Sequence, residues 1–256
     1  MINDKNDKLI YNFRVNSLNI KAEYYERDIN GIFIPLVRRL DKMRQNAGRR
    51  IIVYLAGPCG AGKTTMSLLL ESLASVHIGS SAQAVGIDGF HYSGEYLSDH
   101  YLVSKDGNKI LMRDVKGSAE TYDFEKLHDK IKALRNGDIY WPGYDRVIHD
   151  VVEDTVFVNG QIAIIEGNWL LLDEPRWRDL APFCDYRIFI TAARETLISR
   201  LTERKIKGGL SEEEAKKFVL RSDAENIGRI LSRRLKCDLE LQMKENGGFT
   251  VSGRQF

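Results

Sequence analysis

Gly57-Pro58-Cys59-Gly60-Ala61-Gly62-Lys63-Thr64 fills every fixed position of the pattern G-x-x-x-x-G-K-[ST]. The run before it, Ile51-Ile52-Val53-Tyr54-Leu55-Ala56, is short, apolar and β-branched, as a buried strand should be. The run after it, Thr65 to Leu73, has the spacing of an amphipathic helix. Strand, glycine loop and helix are the context in which successive backbone N–H groups curl around phosphates and a helix N-terminus adds its partial positive charge. In that context Gly57 to Thr65 cradle a nucleotide, Lys63 reaches the β- and γ-phosphates, and the Thr64 hydroxyl holds Mg²⁺. A chance match in a glycine-rich loop is the alternative, and the flanking strand and helix count against it. The motif by itself leaves open whether phosphate is transferred, hydrolysed or sensed.

Two further strands end in acids. Ala82 to Asp88 reads as one strand, and Gln161 to Gly167 as another, near-continuously apolar until Glu166. In open α/β sheets ligands gather at the carboxyl ends of the strands, so Asp88 and Glu166 are both candidates for work beside the phosphate loop. One carboxylate for Mg²⁺ and one for proton abstraction is what phosphoryl chemistry asks for. For Asp88 the competing reading is a turn aspartate followed by a turn glycine. A further strand follows at Tyr186 to Thr191, and Cys237 to Leu241 alternates like a last one. The fold class is therefore α/β, a doubly wound, mainly parallel sheet flanked by helices.

Ala22 to Gln45 carries apolar residues at three- and four-residue spacing and predicts a helix, with Gly31 and Pro35 as places where it breaks in two and Gly48 as its cap. Phe124 to Leu134 predicts another, opened by Asp123 and closed by Gly137. Asp106-Gly107 marks a hairpin turn in the polar stretch 93–118. Tyr140 to Asp150 is dense in aromatic and ionisable groups without a period, a composition often found in ligand-facing loops; an Arg–Asp pair that merely braces the loop is the alternative. The helix from about Glu195 carries Arg200, Arg204, Lys205 and Lys207 before Gly208-Gly209, which reads either as a mobile lid over phosphates or as a solvated face. Ser211 to Glu214 is a capping box that opens the next helix. Arg38-Arg39 and Arg49-Arg50 read as solvated charge. No repeat or linker interrupts the chain, which gives one domain: a helical extension over 1–48, a core over 49–241 and a frayed tail over 242–256.

At 256 residues the chain is long enough to bury a sizeable core. A net charge of +2 argues against nucleic acid or an anionic membrane surface as partner, since both need a concentrated basic face. Cys59, Cys184 and Cys237 are odd in number and widely separated, which fits neither a disulfide framework nor a zinc site. No apolar run has the length of a membrane span, and the cytoplasm is the expected compartment. A homo-oligomer is left open.

Several motifs in order resemble the phosphoribulokinase/uridine kinase family of small-molecule P-loop kinases. They are the phosphate loop, Asp88-Gly89-Phe90-His91, Glu120-Thr121-Tyr122-Asp123, Tyr144-Asp145-Arg146 with His149-Asp150, Glu166 to Leu172, and Arg200-Leu201 with Arg204. More narrowly, the chain is similar to a bacterial branch labelled nucleoside/nucleotide kinase-like, which includes fructose-kinase-like proteins and is related to pantothenate kinase. The resemblance spans roughly 49–241 and implies a P-loop NTPase fold with a helical lid, transferring phosphate from ATP. It implies Asp88 as base on the acceptor hydroxyl, Glu166 at Mg²⁺, Arg200 and Arg204 in the lid, and His91, Tyr144, Arg146 and His149 in the acceptor pocket. Uridine kinases usually carry an aromatic residue where this chain has Arg146, and this branch often has proline where it has Ala119. The first departure points to a polar acceptor, a sugar ahead of pantothenate, rather than a nucleoside. A nucleotide-gated switch is the reading from another class; the [NT]-K-x-D guanine-reading motif of GTPases is absent.

Overall fold

The computed structural model describes residues 7–15, 18–104, 106–145 and 147–253. Strands β1 (Lys8–Val15) and β2 (Leu18–Tyr25) pair antiparallel as a hairpin. A continuous helical stretch follows: α1 (Glu26–Asp28), a π-turn at Ile29–Phe33, and α2 (Ile34–Ala47). The predicted helical extension is thus corrected at its start, where 8–15 and 18–25 are paired strands, and in its break, which does not occur. The wider turn explains the continuity. Ile34 N–H reaches back to Ile29 O, five residues away, so the ladder has already slipped by one residue where Pro35 brings no N–H. Gly48, at φ 63°, caps α2 as the sequence predicts.

The central sheet has the order β12-β11-β10-β3-β9-β4. It is built from β3 (Ile51–Ala56), β4 (Ala82–Gly86), β9 (Ile162–Gly167), β10 (Tyr186–Ala192) and β11 (Leu239–Met243), all parallel, with β12 (Phe249–Gly253) antiparallel at one edge. The period of two sorts each inner strand between two cores. Ile51, Val53 and Leu55 join the side covered by α2 and by α3 (Lys63–His77), while Ile52, Tyr54 and Ala56 join the side covered by α5 (Phe124–Asn136) and Trp169. A short helix α4 (Gly94–Asp99) and the ribbon β5 (Tyr101–Val103) with β6 (Lys109–Leu111) lie between β4 and α5, with Gly107 at φ 79° in the predicted turn. Among the described residues no helix is long and apolar enough to cross a membrane.

The stretch 140–150, expected as a loop, is a second ribbon, β7 (Ile139–Asp145) with β8 (Asp150–Val158). Pro142 fits because the register shifts between Trp141 and Gly143, so its missing N–H falls where the ladder is already interrupted. After β10 come α6 (Arg194–Lys207), α7 (Glu212–Phe218), a π-turn at Val219–Asp223 and α8 (Ala224–Ser232), with the predicted capping box at Ser211 and Glu214 in place.

The tail expected to fray instead supplies β12. Phe249 packs on Phe33 with ring centroids 5.4 Å apart, Tyr24 packs edge-on to Phe33 at 5.9 Å, and the buried Asp28 carboxylate accepts the Phe249 N–H at 2.9 Å. These contacts tie the hairpin, the first helix and the last strand together. Arg49 and Arg50 are not idle charge either. Arg49 donates to Asp185 at 2.8 Å, and Arg50 donates to the carbonyls of Gly160 and Leu134, each at 2.7 Å, fastening the start of β3 to its neighbours.

Gly57, just past β3, is the tightest point. A Cβ there would stand 2.1 Å from Ile190 O. Gly57→Ala is expected to destabilise the protein by about 1–3 kcal/mol in urea unfolding, as overpacking against backbone does. Gly31→Ala, where nothing lies within 4 Å, should be neutral or stabilising in the same assay.

Candidate active site

The phosphate loop is shaped by three glycines with different jobs. Gly57 admits the Ile190 carbonyl, Gly60 at φ 82° lies where a Cβ would stand 3.2 Å from Leu197 O and Leu201 of α6, and Gly62 at φ 86° turns the chain into α3. The buried Lys63 ammonium folds back across the loop and donates to Pro58 O at 3.0 Å. A phosphate entering the loop offers that donor a stronger, charged acceptor close by. Thr65 Oγ1 donates to Gly62 O at 2.9 Å and braces the first turn of α3. Cys59 Sγ accepts from Asn168 Nδ2 at 3.0 Å, and burial pushes the thiol's pKa up, so it stays a neutral packing group. Ala61, between the two turn glycines, is buried.

Arg200 of α6 donates to Gly60 O at 3.1 Å, so one of the two proposed lid arginines already touches the loop. Arg204, one turn on, is exposed, and its charge is felt at Cys59. Lys205 stands over the Phe218 ring at 3.6 Å, with its pKa lowered by burial.

The two carboxylates stand where the strand ends put them. Glu166 lies opposite Leu55 of β3 on one side and Gly86 of β4 on the other. Its Oε1 accepts the Thr64 hydroxyl at 2.7 Å, and a side chain at residue 86 would begin 3.2 Å from that oxygen. A hydroxyl and a carboxylate oxygen side by side at a phosphate loop suit Mg²⁺, which takes few protein ligands and fills its remaining positions with water and phosphate oxygens. Asp88 stands two residues past β4, and the buried Tyr122 hydroxyl points at its Oδ1 from 3.5 Å. Burial, then the neighbouring Asp88 charge, drive the Tyr122 pKa well up, which keeps that hydroxyl a donor.

Thr64, Glu166 and Asp88 line one cavity of about 310 Å³, together with Tyr144, Gly89 and Arg14. Tyr144 is held by its own hydroxyl, which donates to His149 O at 2.8 Å and receives Lys116 Nζ at 3.0 Å. His91 and His149, both expected in the acceptor pocket, are not among the lining residues. His91 is buried beneath it, with Nδ1 3.1 Å from Thr121 O and its ring 3.8 Å from that of Tyr122. His149 offers its carbonyl while its ring stays exposed. Arg146 lies outside the described residues. Arg14 carries no sequence motif, and only the docking of the hairpin brings it here.

A family model described as an AAA domain matches residues 53–220. The Escherichia coli protein YggC is 39% identical over 237 residues, covering 92% of this chain and 96% of its own length. A candidate uridine kinase of Schizosaccharomyces pombe is 31% identical over 202 residues, covering 76% of this chain and 83% of that protein. A solved candidate fructose transport system kinase from Silicibacter sp. TM1040 superposes with a TM-score of 0.66 at 30% identity, over 78% of this chain and 98% of that one.

The chain belongs to the P-loop kinases. It is a phosphotransferase with an alcohol group as acceptor, and a P-loop kinase draws its phosphoryl group from a nucleotide. The buried Lys63 ammonium has the charge and the place to meet a nucleotide's phosphates. Lys63→Ala should weaken ATP binding in a calorimetric titration by at least about tenfold, or abolish turnover, while circular dichroism stays that of the folded protein. Unchanged affinity together with unchanged turnover would remove Lys63 from the site.

A second expectation concerns pH. Burial lowers the His91 pKa, against the opposing pull of Asp88 and the Thr121 carbonyl. As pH falls, the unfolded chain takes up that proton first, so the stability tied to neutral His91 is complete above about pH 6.5 and is lost below it. His91→Gln should therefore flatten the decline of Tm between about pH 7 and pH 5.

Proposed function

We propose that this kinase transfers the γ-phosphoryl group of ATP to a hydroxyl of a small polar metabolite, with a sugar or sugar-like compound ahead of a nucleoside. One observation carries the reading: Asp88 and the Thr64–Glu166 pair face the same cavity of about 310 Å³. A hydroxyl seated there meets a base on one side and the phosphate loop on the other, the positioning on which phosphoryl transfer mostly depends.

Each residue has a part in that step. Gly57 to Thr65 bind the donor's phosphates through backbone N–H groups, and Lys63 neutralises them. Thr64 and Glu166 would hold Mg²⁺, which would supply charge neutralisation beside the phosphates. Asp88 takes the acceptor's proton on a carboxylate oxygen, with Tyr122 fixing that carboxylate by donating to Oδ1. Arg200 and Arg204 reach the developing charge from α6.

The aromatic lining supports a non-nucleoside acceptor. A nucleobase is held by an open ring face, yet Trp141 is 1% exposed, packed edge-on to Phe90 and tied by its N–H to Gly86 O. Tyr144 is engaged by Lys116 and His149. Hydroxyl-rich ligands need hydrogen-bonding groups instead, and the cavity wall supplies those.

The test is ADP release from ATP and Mg²⁺ with sugars, polyols, pantothenate, uridine and cytidine as acceptors. Asp88→Asn should lower kcat by about 10²–10⁴-fold while ATP affinity changes little. Retention of near wild-type kcat would shift the base to Glu166. Efficient phosphorylation of uridine or cytidine with sugars inert would overturn the acceptor class and leave the kinase standing.

A further inference from the structure

Among the described residues that line the cavity three carry charged side chains: the acids Asp88 and Glu166, and one cation, Arg14, near the end of β1. We propose that Arg14 is an acceptor-binding residue and that the acceptor carries an anionic oxygen group, a carboxylate or a phosphate, which the guanidinium holds. The proposal rests on the reading of this cavity as the acceptor site.

Three observations support the assignment. The backbone that carries Arg14 is fixed by packing. Val15 is 7% exposed, Phe13 packs beside Tyr11 with centroids 6.0 Å apart, Tyr11 meets Tyr24 edge-on at 6.0 Å, and Tyr24 in turn lies against Phe33. The residue is therefore delivered by a docked element, not by a free terminus.

Next, the guanidinium is uncommitted. Other hairpin cations have acidic neighbours, Lys8 at 3.7 Å and Lys21 at 3.1 Å from Glu23, whereas Arg14 faces the neutral Asn19 across the ribbon and makes no hydrogen bond or ion pair with a described residue. A partner supplied by a ligand fits that state.

The third is charge balance. The carboxylate of Asp88 faces the cavity as the base of the proposed transfer. An acceptor with its own negative charge would be repelled from such a cavity unless a cation received it at the end away from the reacting hydroxyl. A guanidinium does so with two parallel hydrogen bonds, fixing orientation as well as charge.

The experiment is a calorimetric titration of the full chain, preloaded with Mg²⁺ and a non-hydrolysable ATP analogue so that the phosphate loop is filled. The probes are D-glycerate and pantothenate for carboxylate, fructose bearing a terminal phosphate for phosphate, and glycerol and free fructose as neutral counterparts. ADP release is followed with the same probes and ATP. An anionic probe should bind about tenfold or more tightly than its neutral counterpart, and Arg14→Ala should remove that margin while leaving nucleotide affinity within about twofold. Arg14→Lys should restore part of it, and Tm should stay near wild type because the side chain is exposed. The winning probe tells carboxylate from phosphate. The proposal is overturned if no anionic probe binds the wild type, if the neutral counterpart binds as well, or if Arg14→Ala keeps full affinity. ADP release that is intact but independent of Arg14 sinks this proposal alone. Arg14-dependent binding with no ADP release from any probe sinks the reading of the cavity as the transfer site.

Discussion

The hydrogen bond from Thr64 Oγ1 to Glu166 Oε1, 2.7 Å long, joins the first turn of α3 to the carboxyl end of β9, and the working end of the molecule is arranged around it. It exists because β3 and β9 are parallel and in register, Leu55 beside Glu166, so both chains emerge on the same side of the sheet. The same register sets Gly86 of β4 beside Glu166, and the chain then reaches Asp88 two residues later. A glycine at residue 86 matters because the carboxylate lies against it. Parallel pairing thus turns three sequence-distant strand ends into one small polar cavity.

Around that cavity the supporting contacts fall into two groups. On the phosphate side, Arg200 holds Gly60 and the Ile190 carbonyl presses on Gly57, so α6 and β10 shape the loop from below. On the Asp88 side, the His91 ring lies 3.8 Å from that of Tyr122, whose hydroxyl points at Asp88, Trp169 donates to Gly117 O at 3.0 Å, and Arg229 of α8 bridges Glu120 at 2.8 Å with Glu174. Arg229 therefore ties α8 to the segment that carries Tyr122. Asp223, in the π-turn before α8, has its pKa raised by burial, with Lys205 and Arg204 opposing the rise.

Particular elements show where sequence reading succeeded and where it stopped. The phosphate loop, Asp88 at a strand end and the capping box at Ser211 were legible because each is a local pattern whose physics lies within a few residues. The ribbon at 139–158 was not, because Pro142 and the lack of alternation hide strands whose pairing depends on a register shift. His91 illustrates another limit. Its motif marks it as near the site, but whether the ring faces the cavity or braces Tyr122 from below is settled by packing against Thr121, thirty residues away.

The sequence by itself determined the nucleotide-binding loop, the parallel α/β architecture and the two acids at strand ends. Those follow from backbone geometry, residue size and period, which act over short spans of chain. Only the tertiary structure decided that the hairpin before the first helix docks on α3, that the last strand joins the sheet edge, and that Arg14 reaches the cavity of Asp88 and Glu166. Such facts depend on which apolar faces find each other across two hundred residues, as Tyr24, Phe33 and Phe249 do, and a polar N-terminal stretch contains no local signal of that meeting.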